Sequence, residues 1–197
     1  FGGRVMDDSK PKYVNSPETL VYHKSETVFA MQIAKRSASR RFVLCEGYMD
    51  VISMQQAGID TAVCACGTAL TPGQVRIISE YADEVILSYD SDEAGQKATE
   101  RSLGILASTP LKVSVLSYQG AKDPDEFIKK YGRERFEMLL NGTANPTEFQ
   151  LKKAKAKYDL RSDDGRLSYI REAIGILTER GVSPTARDVY AGRIAEE

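Results

Sequence analysis

Two short apolar runs, each ending in carboxylates, organise the chain. Phe42-Val43-Leu44-Cys45 leads into Glu46-Gly47-Tyr48-Met49-Asp50, and Val85-Ile86-Leu87-Ser88 leads through Tyr89 into Asp90-Ser91-Asp92. Runs of this length and β-branched content predict strands buried on both faces. Strands over about 41–45, 61–66, 85–89 and 112–116 alternate with helices over about 48–57, 72–82 and 93–107. Gly58 suits the end of the first helix, and Thr71-Pro72 supplies an N-cap and an N1 proline for the second. The alternation predicts an α/β fold in which four strands form a small parallel sheet with helices on both faces.

The flanks follow other patterns. Residues 1–24 are rich in glycine, proline and polar residues and predict loop with at most one short strand. Residues 24–38 place Val28, Phe29, Met31, Ile33 and Ala34 at helical spacing and predict a helix. Past the last strand, Asp123-Pro124-Asp125-Glu126 has the form of a capping box, which accounts for Asp123 but not for Asp125. Helices are expected over about 133–141, 146–158, 163–180 and 184–196, with Tyr169, Ile170, Ala173, Ile174 and Leu177 as a packing face.

Carboxylates at the ends of buried parallel strands imply a chemistry. Ligands of open α/β sheets bind in the crevice beyond the carboxyl ends of the strands. Glu46, Asp50, Asp90 and Asp92 gathered there repel one another, and a divalent cation relieves the repulsion. An Asp-x-Asp spacing in extended chain turns both side chains to one side. The only histidine is His23, so no Ser-His-Asp triad exists, and the chain has neither a Walker-type phosphate loop nor Gly-x-Gly-x-x-Gly after a strand. The metal site would then have to carry the chemistry, which favours phosphoryl transfer.

Composition narrows the setting. Hydrophobic residues make up 42% and charged residues 28%, and no apolar run approaches a membrane span. The start, Phe1-Gly2-Gly3-Arg4, is not a signal peptide and reads as a cut within a longer protein, as does the uncapped helical end. Cys45, Cys64 and Cys66 sit in apolar runs and are expected as reduced thiols, small buried hydrophobes in a cytosolic protein. The net charge of −1 hides an asymmetry: residues 1–45 hold eight Lys and Arg against four Asp and Glu, and residues 46–100 hold two against ten. A basic flank beside an acidic middle suits an enzyme that holds polyanionic phosphates on one side and metals on the other.

Glu46-Gly47-Tyr48-Met49-Asp50, Gly67-Thr68-Ala69-Leu70-Thr71 and Asp90-Ser91-Asp92-Glu93-Ala94-Gly95 resemble the three core motifs of the TOPRIM fold of topoisomerases and primases. Gly2-Gly3-Arg4, Pro11-Lys12-Tyr13-Val14-Asn15-Ser16-Pro17-Glu18-Thr19 and His23-Lys24 are narrower. They resemble the stretch just ahead of TOPRIM in bacterial DnaG-type DNA primases, and Asp123-Pro124-Asp125 fits the same family. The resemblance implies a TOPRIM-type, Rossmann-like domain over 39–131, the end of a basic N-terminal subdomain over 1–38, and a helical C-terminal subdomain over 132–197.

It further implies the catalytic centre of a DNA-directed RNA polymerase that makes short RNA primers on single-stranded DNA in the bacterial cytoplasm. Glu46, Asp90 and Asp92 are then catalytic, with Asp50, Asp123 and Asp125 as further metal residues; Glu46 is alternatively a general acid or base. Two or more Mg²⁺ or Mn²⁺ ions are the expected cofactors, with no zinc. Arg4, Lys12, Tyr13, Asn15 and Lys24 are expected to meet NTP or nucleic acid, and Gly47, Gly67, Thr68 and Gly95 to shape the motifs. Template, NTPs and primer are the expected partners, together with the replicative helicase through a domain outside this chain, and the chain alone is expected to be weak or inactive. Where the family usually has glycine between the two aspartates, this chain has Ser91. Two other classes stay open: a TOPRIM nuclease or topoisomerase, and a non-catalytic phospho-acceptor receiver domain, for which Lys122 is the lysine nearest the required place.

Overall fold

The computed structural model describes residues 2–6, 13–65, 69–179 and 182–196, without the side chains of Arg4 and Tyr13. Lys12, Gly67 and Thr68 lie outside the described residues. The chain divides into two compact units, Phe1–Thr143 and Ala144–Glu197.

The first unit is built on a five-stranded sheet. Its parallel strands are β4 (Arg41–Cys45), β5 (Ala62–Ala65), β6 (Glu84–Ser88) and β7 (Lys112–Val115). A two-residue edge strand, β3 (Val28–Phe29), runs antiparallel to β5, and the order across the sheet is β3-β5-β4-β6-β7. Phe42 to Cys45 and Val85 to Ser88 are 1% exposed or less, as strands covered on both faces must be. α2 (Tyr48–Gln56) and α5 (Pro124–Asn141) pack on each other over the face that holds Val43, Cys45 and Ile86. Period-two alternation turns Phe42, Leu44, Val85 and Leu87 to the other face. α3 (Pro72–Ser79) packs against α4 (Glu93–Leu106) and β3, and α4 packs against β7. The chain runs from β4 out to β5, returns across β4 to β6 and continues to β7. The strand order therefore reverses between β4 and β6.

Three expectations are corrected. Residues 24–38 are not one helix: a 3₁₀ turn over Lys24–Glu26 precedes β3, and α1 covers only Met31–Ala34. Val28 and Phe29 fit a helical period, but pairing with Ala65 and Cys64 covers the open edge of β5, and Ala30 at φ 63° separates strand from helix. The sheet accordingly has five strands, one of them antiparallel, rather than four. Residues 1–24 hold two short strands, β1 (Gly2–Arg4) and β2 (Tyr13–Asn15), paired antiparallel. Next to the expected boundary at 131/132, Gly132 has non-helical backbone at φ 80° and kinks α5 between its two helical halves.

The second unit is helical: α6 (Pro146–Lys155), α7 (Asp163–Thr178) and α8 (Pro184–Ala195), each capped by an Asn or Ser side chain. Its core joins Leu151, Ala154, Tyr169, Ala173, Ile176, Leu177 and Tyr190. The anticipated face on α7 is only half right, since Ile170 and Ile174 stay 39% and 56% exposed while Ile176 is buried.

Phe136 is fully buried and packs among Tyr118 and Phe127, joining α5 to the sheet domain. Phe136→Ala should cost ~3–5 kcal/mol, read as a lowered urea midpoint. A loss below about 1 kcal/mol would mean that α5 is not part of this core.

Candidate metal centre

Cys45 and Ser88 are register partners at the ends of β4 and β6. The residues that follow them leave the sheet side by side where the strand order reverses, the place at which open α/β sheets bind ligands. A pocket of about 1190 Å³ opens there. Glu46, Asp50, Asp90, Asp92, Asp123, Asp125 and Glu126 line it, as do Asn15 and Tyr48.

Most of these carboxylates are also helix caps. Asp50 Oδ2 accepts from the Gly47 N–H at 3.1 Å at the start of α2. Asp92 Oδ1 accepts from the Gly95 N–H at 2.8 Å at the start of α4, and Asp123 Oδ1 from the Glu126 N–H at 2.7 Å at the start of α5. Glu126 Oε2 accepts from the N–H of Lys122, the residue before the cap, at 3.1 Å. Each cap fixes one carboxylate oxygen and leaves the other unused by the cap. Asp125 is held differently, by Ser53 Oγ at 2.7 Å and Lys129 Nζ at 2.6 Å. Glu46 and Asp90 have no hydrogen bond or ion pair among the described residues.

The electrostatics follow. Burial, then the negative charge of Asp90, pushes Asp50 up to about 7 against the opposing Gly47 N–H, with Asp123 and Glu46 adding to the rise. Burial and the charges of Glu46, Asp123 and Asp92 push Asp90 up to about 6, and Lys122 opposes them. For Asp125, slight burial works upward, but the bonds from Lys129 and Ser53 outweigh it and hold the carboxyl below its usual range. Beneath the pocket, Ser88 and Tyr118 share a buried hydroxyl–hydroxyl hydrogen bond. Burial, then Asp50, raises the Cys45 thiol, so it stays protonated; Cys45 and Cys64 are free and buried, as expected.

The donor set suits a hard divalent cation. It is all oxygen, and two of its members are driven toward protonation by burial and by each other's charge, a strain that a cation removes. No group of three or more carboxylates close enough to hold an ion occurs among the described residues. The carboxylates thus face one pocket without forming a closed cage.

The anticipated residues divide clearly. Glu46, Asp50, Asp90, Asp92, Asp123, Asp125 and Asn15 all reach the pocket. Lys24 is not among its lining residues; its N–H donates to Glu18 and its carbonyl accepts from Gln74 Nε2 at 2.8 Å. Arg4 and Tyr13 are register partners in the β1–β2 pair. Gly47 is the N-cap of α2. Gly95 serves close packing: a Cβ there would lie 2.1 Å from the Asp90 carbonyl oxygen. Ser91 is not in the left-handed region, so its side chain is accommodated without strain, and its N–H donates to the Lys122 carbonyl at 3.0 Å.

Sequence reasoning missed several residues. Tyr48 donates to Asn15 Oδ1 at 2.8 Å and packs edge-on against Phe29 at 4.9 Å, tying the N-terminal hairpin to α2. Fully buried Gln74 holds the Lys24 and Thr27 carbonyls. Among the described residues, Arg101, Lys129 and Lys130 join Lys122, singled out above only for a receiver domain, in supplying the pocket's positive charge. Gln74 was legible as the N3 partner of the Thr71 cap, and Lys129 as the i+4 partner of Asp125.

A parallel sheet with carboxylates at its switch point, two of them in an Asp-x-Asp run, defines a TOPRIM-class site. The comparisons agree. Residues 43–128 match the family model described as Toprim-like, residues 1–35 that of the DNA primase catalytic core N-terminal domain, and residues 147–197 that of the DnaB-helicase binding domain of primase. The last match lies inside the chain, whereas the sequence reading placed the helicase contact in a domain outside it.

The DNA primase of Clostridium acetobutylicum is 37% identical over 198 residues, covering all of this chain and 33% of that protein. The Geobacillus stearothermophilus DNA primase is 36% identical over 199 residues, again covering all of this chain and 33% of the relative. The chain thus spans about a third of the length of the curated relatives it matches. The RNA polymerase domain of Mycobacterium tuberculosis primase DnaG, solved with a double-stranded DNA carrying a 6-nucleotide overhang, superposes with a TM-score of 0.81 at 32% identity over 99% of this chain and 64% of that one. The DnaG primase catalytic domain bound to single-stranded DNA gives 0.74 at 28% over 100% and 64%. The chain belongs to the family of bacterial DnaG-type DNA primases.

Two outcomes test this description. Asp50 and Asp90 bind protons in the folded state at pH values where the unfolded chain has released them, so stability falls as pH rises from about 4 through about 7. The metal-free chain should melt higher near pH 5 than near pH 7.5, and Asp50→Asn should flatten the difference. An unchanged pH profile in Asp50→Asn would remove Asp50 from the repelling cluster. Separately, Gly95→Ala should destabilise by ~1–3 kcal/mol through overpacking against Asp90. Gly104→Ala, on the same helix with nothing within 4 Å, should stabilise by ~0.5–1 kcal/mol. Equal effects in the two variants would show that the Asp90–Gly95 approach does not constrain the site.

Proposed function

We propose that the chain carries the metal centre of a primase core, which makes short RNA primers on single-stranded DNA by nucleotidyl transfer. The primer 3′-hydroxyl attacks the α-phosphate of an NTP, and pyrophosphate leaves. The observation that carries this reading is the convergence of carboxylates at the β4–β6 switch point, two of them raised to about 7 and about 6, in a chain of primase family.

Divalent-metal dependence is general to the TOPRIM and primase families. Mg²⁺ or Mn²⁺ ions, two in this reading, would lower the pKa of the attacking hydroxyl and neutralise charge on the phosphates. Glu46 and Asp90 are the best placed to hold them, because neither oxygen pair is engaged elsewhere among the described residues. Asp92, Asp123 and Asp50 each offer the carboxylate oxygen that their cap bond does not use. Asp125, held by Ser53 and Lys129, supports the others by fixing the start of α5 against α2. Arg4, Lys12 and Lys24 on the N-terminal side would take NTP phosphates or the template backbone, with Tyr13 and Asn15 shaping that edge. The replicative helicase is the protein partner in this reading, and the bacterial cytoplasm its place of work. No helix among the described residues is long and apolar enough to cross a membrane.

A receiver-type reading has one supporting observation, the Lys122 side chain on the pocket wall near Asp90. Family membership decides against it, and NTP-dependent RNA synthesis would exclude it.

Asp92→Asn tests the proposal, because Asn caps a helix about as well as Asp. The metal-free melting temperature should hold or rise. The Mn²⁺-induced rise should shrink well below that of the parent, where ~2.7 kcal/mol is expected at a hundredfold excess over Kd. With residues 1–197 grafted in place of the matching third of the Clostridium acetobutylicum primase, the same change should cut primer synthesis at least about a hundredfold, the worth of a few kcal/mol of metal stabilisation. Near-normal synthesis by that variant would sink the assignment of Asp92.

A further inference from the structure

Among the described residues, seven carboxylates and four cations line the pocket. A bound triphosphate brings three to four more negative charges, so cations with unused hydrogen-bonding capacity matter most. Three of the four are engaged. Lys129 pairs with Asp125 at 2.6 Å. Lys130 donates to the Gly120 carbonyl at 2.9 Å and lies over the Tyr131 ring. Arg101 Nε donates to the Lys97 carbonyl at 3.3 Å. Lys122 is the fourth, and its ammonium has no hydrogen bond or ion pair among the described residues.

Its backbone, by contrast, is pinned on both sides. The Ser91 N–H donates to the Lys122 carbonyl at 3.0 Å, and the Lys122 N–H donates to Glu126 Oε2 at 3.1 Å. The first bond links the loop of Asp90 and Asp92 to the loop of Asp123 and Asp125. The backbone of Lys122 is therefore anchored between the two acidic loops, and its side chain lies on the pocket wall, near enough for its charge to act on Asp90. An exposed lysine without partners adds little to stability, so folding alone does not account for a fixed cation at this position.

We infer that Lys122 is a nucleotide-binding residue whose ammonium takes a phosphate oxygen of the incoming nucleoside triphosphate beside the carboxylates. This rests on the nucleotidyl-transfer reading. The residue binds polyphosphate as a point charge with three donors, which tolerates the change in phosphate geometry as pyrophosphate separates. It deepens the pocket's chemistry from the side opposite in sequence to the basic N-terminal flank.

The test uses this chain and a fluorescent NTP analogue in the presence of Mn²⁺, with Mn²⁺ alone and single-stranded DNA alone as parallel titrations. Lys122→Ala should weaken nucleotide binding about tenfold or more, the worth of a charge-assisted hydrogen bond. Lys122→Arg should restore most of it. The Mn²⁺-induced melting shift should persist in both variants, because the lysine is no metal ligand. Lys97→Ala, an equal loss of charge on α4 outside the pocket lining, should bind nucleotide like the parent. Nucleotide binding by Lys122→Ala equal to that of the parent would overturn this inference alone, and so would an equal loss in Lys97→Ala. Absence of Mn²⁺-dependent nucleotide binding in the parent chain would overturn the functional reading and this inference with it.

Discussion

The reversal of strand order between β4 and β6 is the constraint on which the rest depends. Parallel neighbours start and end at the same edge of the sheet, so Glu46 and Asp90 leave it together because Cys45 and Ser88 are register partners. The helices that follow these two strands then diverge, one toward β5 and one toward β7. A crevice opens where they part, without any loop having to create it. The burial of Phe42 to Cys45 and Val85 to Ser88 at 1% exposure or less keeps that register from slipping. A one-residue slip of either strand would turn its buried set to the wrong face and misplace its carboxylate.

Three helix N-termini, those of α2, α4 and α5, meet this crevice, and this explains how so much negative charge is tolerated. Asp50, Asp92 and Asp123 each accept from a first-turn N–H, an interaction that favours the ionised form and complements the helix dipole. The caps do not remove the conflict. Asp50 and Asp90 still rise to about 7 and about 6, because burial and mutual repulsion exceed what the Gly47 N–H returns to Asp50 and the Lys122 charge to Asp90. Capping and metal binding are therefore compatible roles of one side chain. For Asp92 the cap bond uses one carboxylate oxygen, so capping by itself does not argue against the proposed metal role.

The same logic marks what was legible. Buried parallel strands announce themselves as unbroken apolar runs, so β4 to β7 and the carboxylates at their ends could be read with boundaries one or two residues off. Val28 and Phe29 could not, because they fall in with the helical spacing of the residues after them, and what makes them a strand is the uncovered side of β5. On α7, Ile170 and Ile174 share a helical face with Tyr169 and Ala173 only approximately; the three-helix core turns the buried sector toward Ile176. Tyr48 and Ser53 escaped because each acts through a partner far away in sequence, Asn15 and Asp125. Contacts of that kind depend on which helices the sheet brings together, and local pattern does not contain that information.

Charge distribution along the chain shows the limit most plainly. The sequence sets a basic segment before an acidic one, which suggests phosphates held from the N-terminal side alone. Among the described residues, the cations on the pocket wall come instead from Arg101 onward, at the end of α4, ahead of α5 and along it. The Asp123 cap and the bond from the Lys122 N–H to Glu126 fix where α5 begins, and so where Lys122 and Lys129 emerge. The Ser91 N–H then binds that segment to the loop of Asp90 and Asp92. Positive and negative walls of one pocket are thus set by one hydrogen-bonded connection between two loops. A change that shifts either loop should disturb metal and phosphate binding together, whereas a change confined to the Lys122 side chain should separate them.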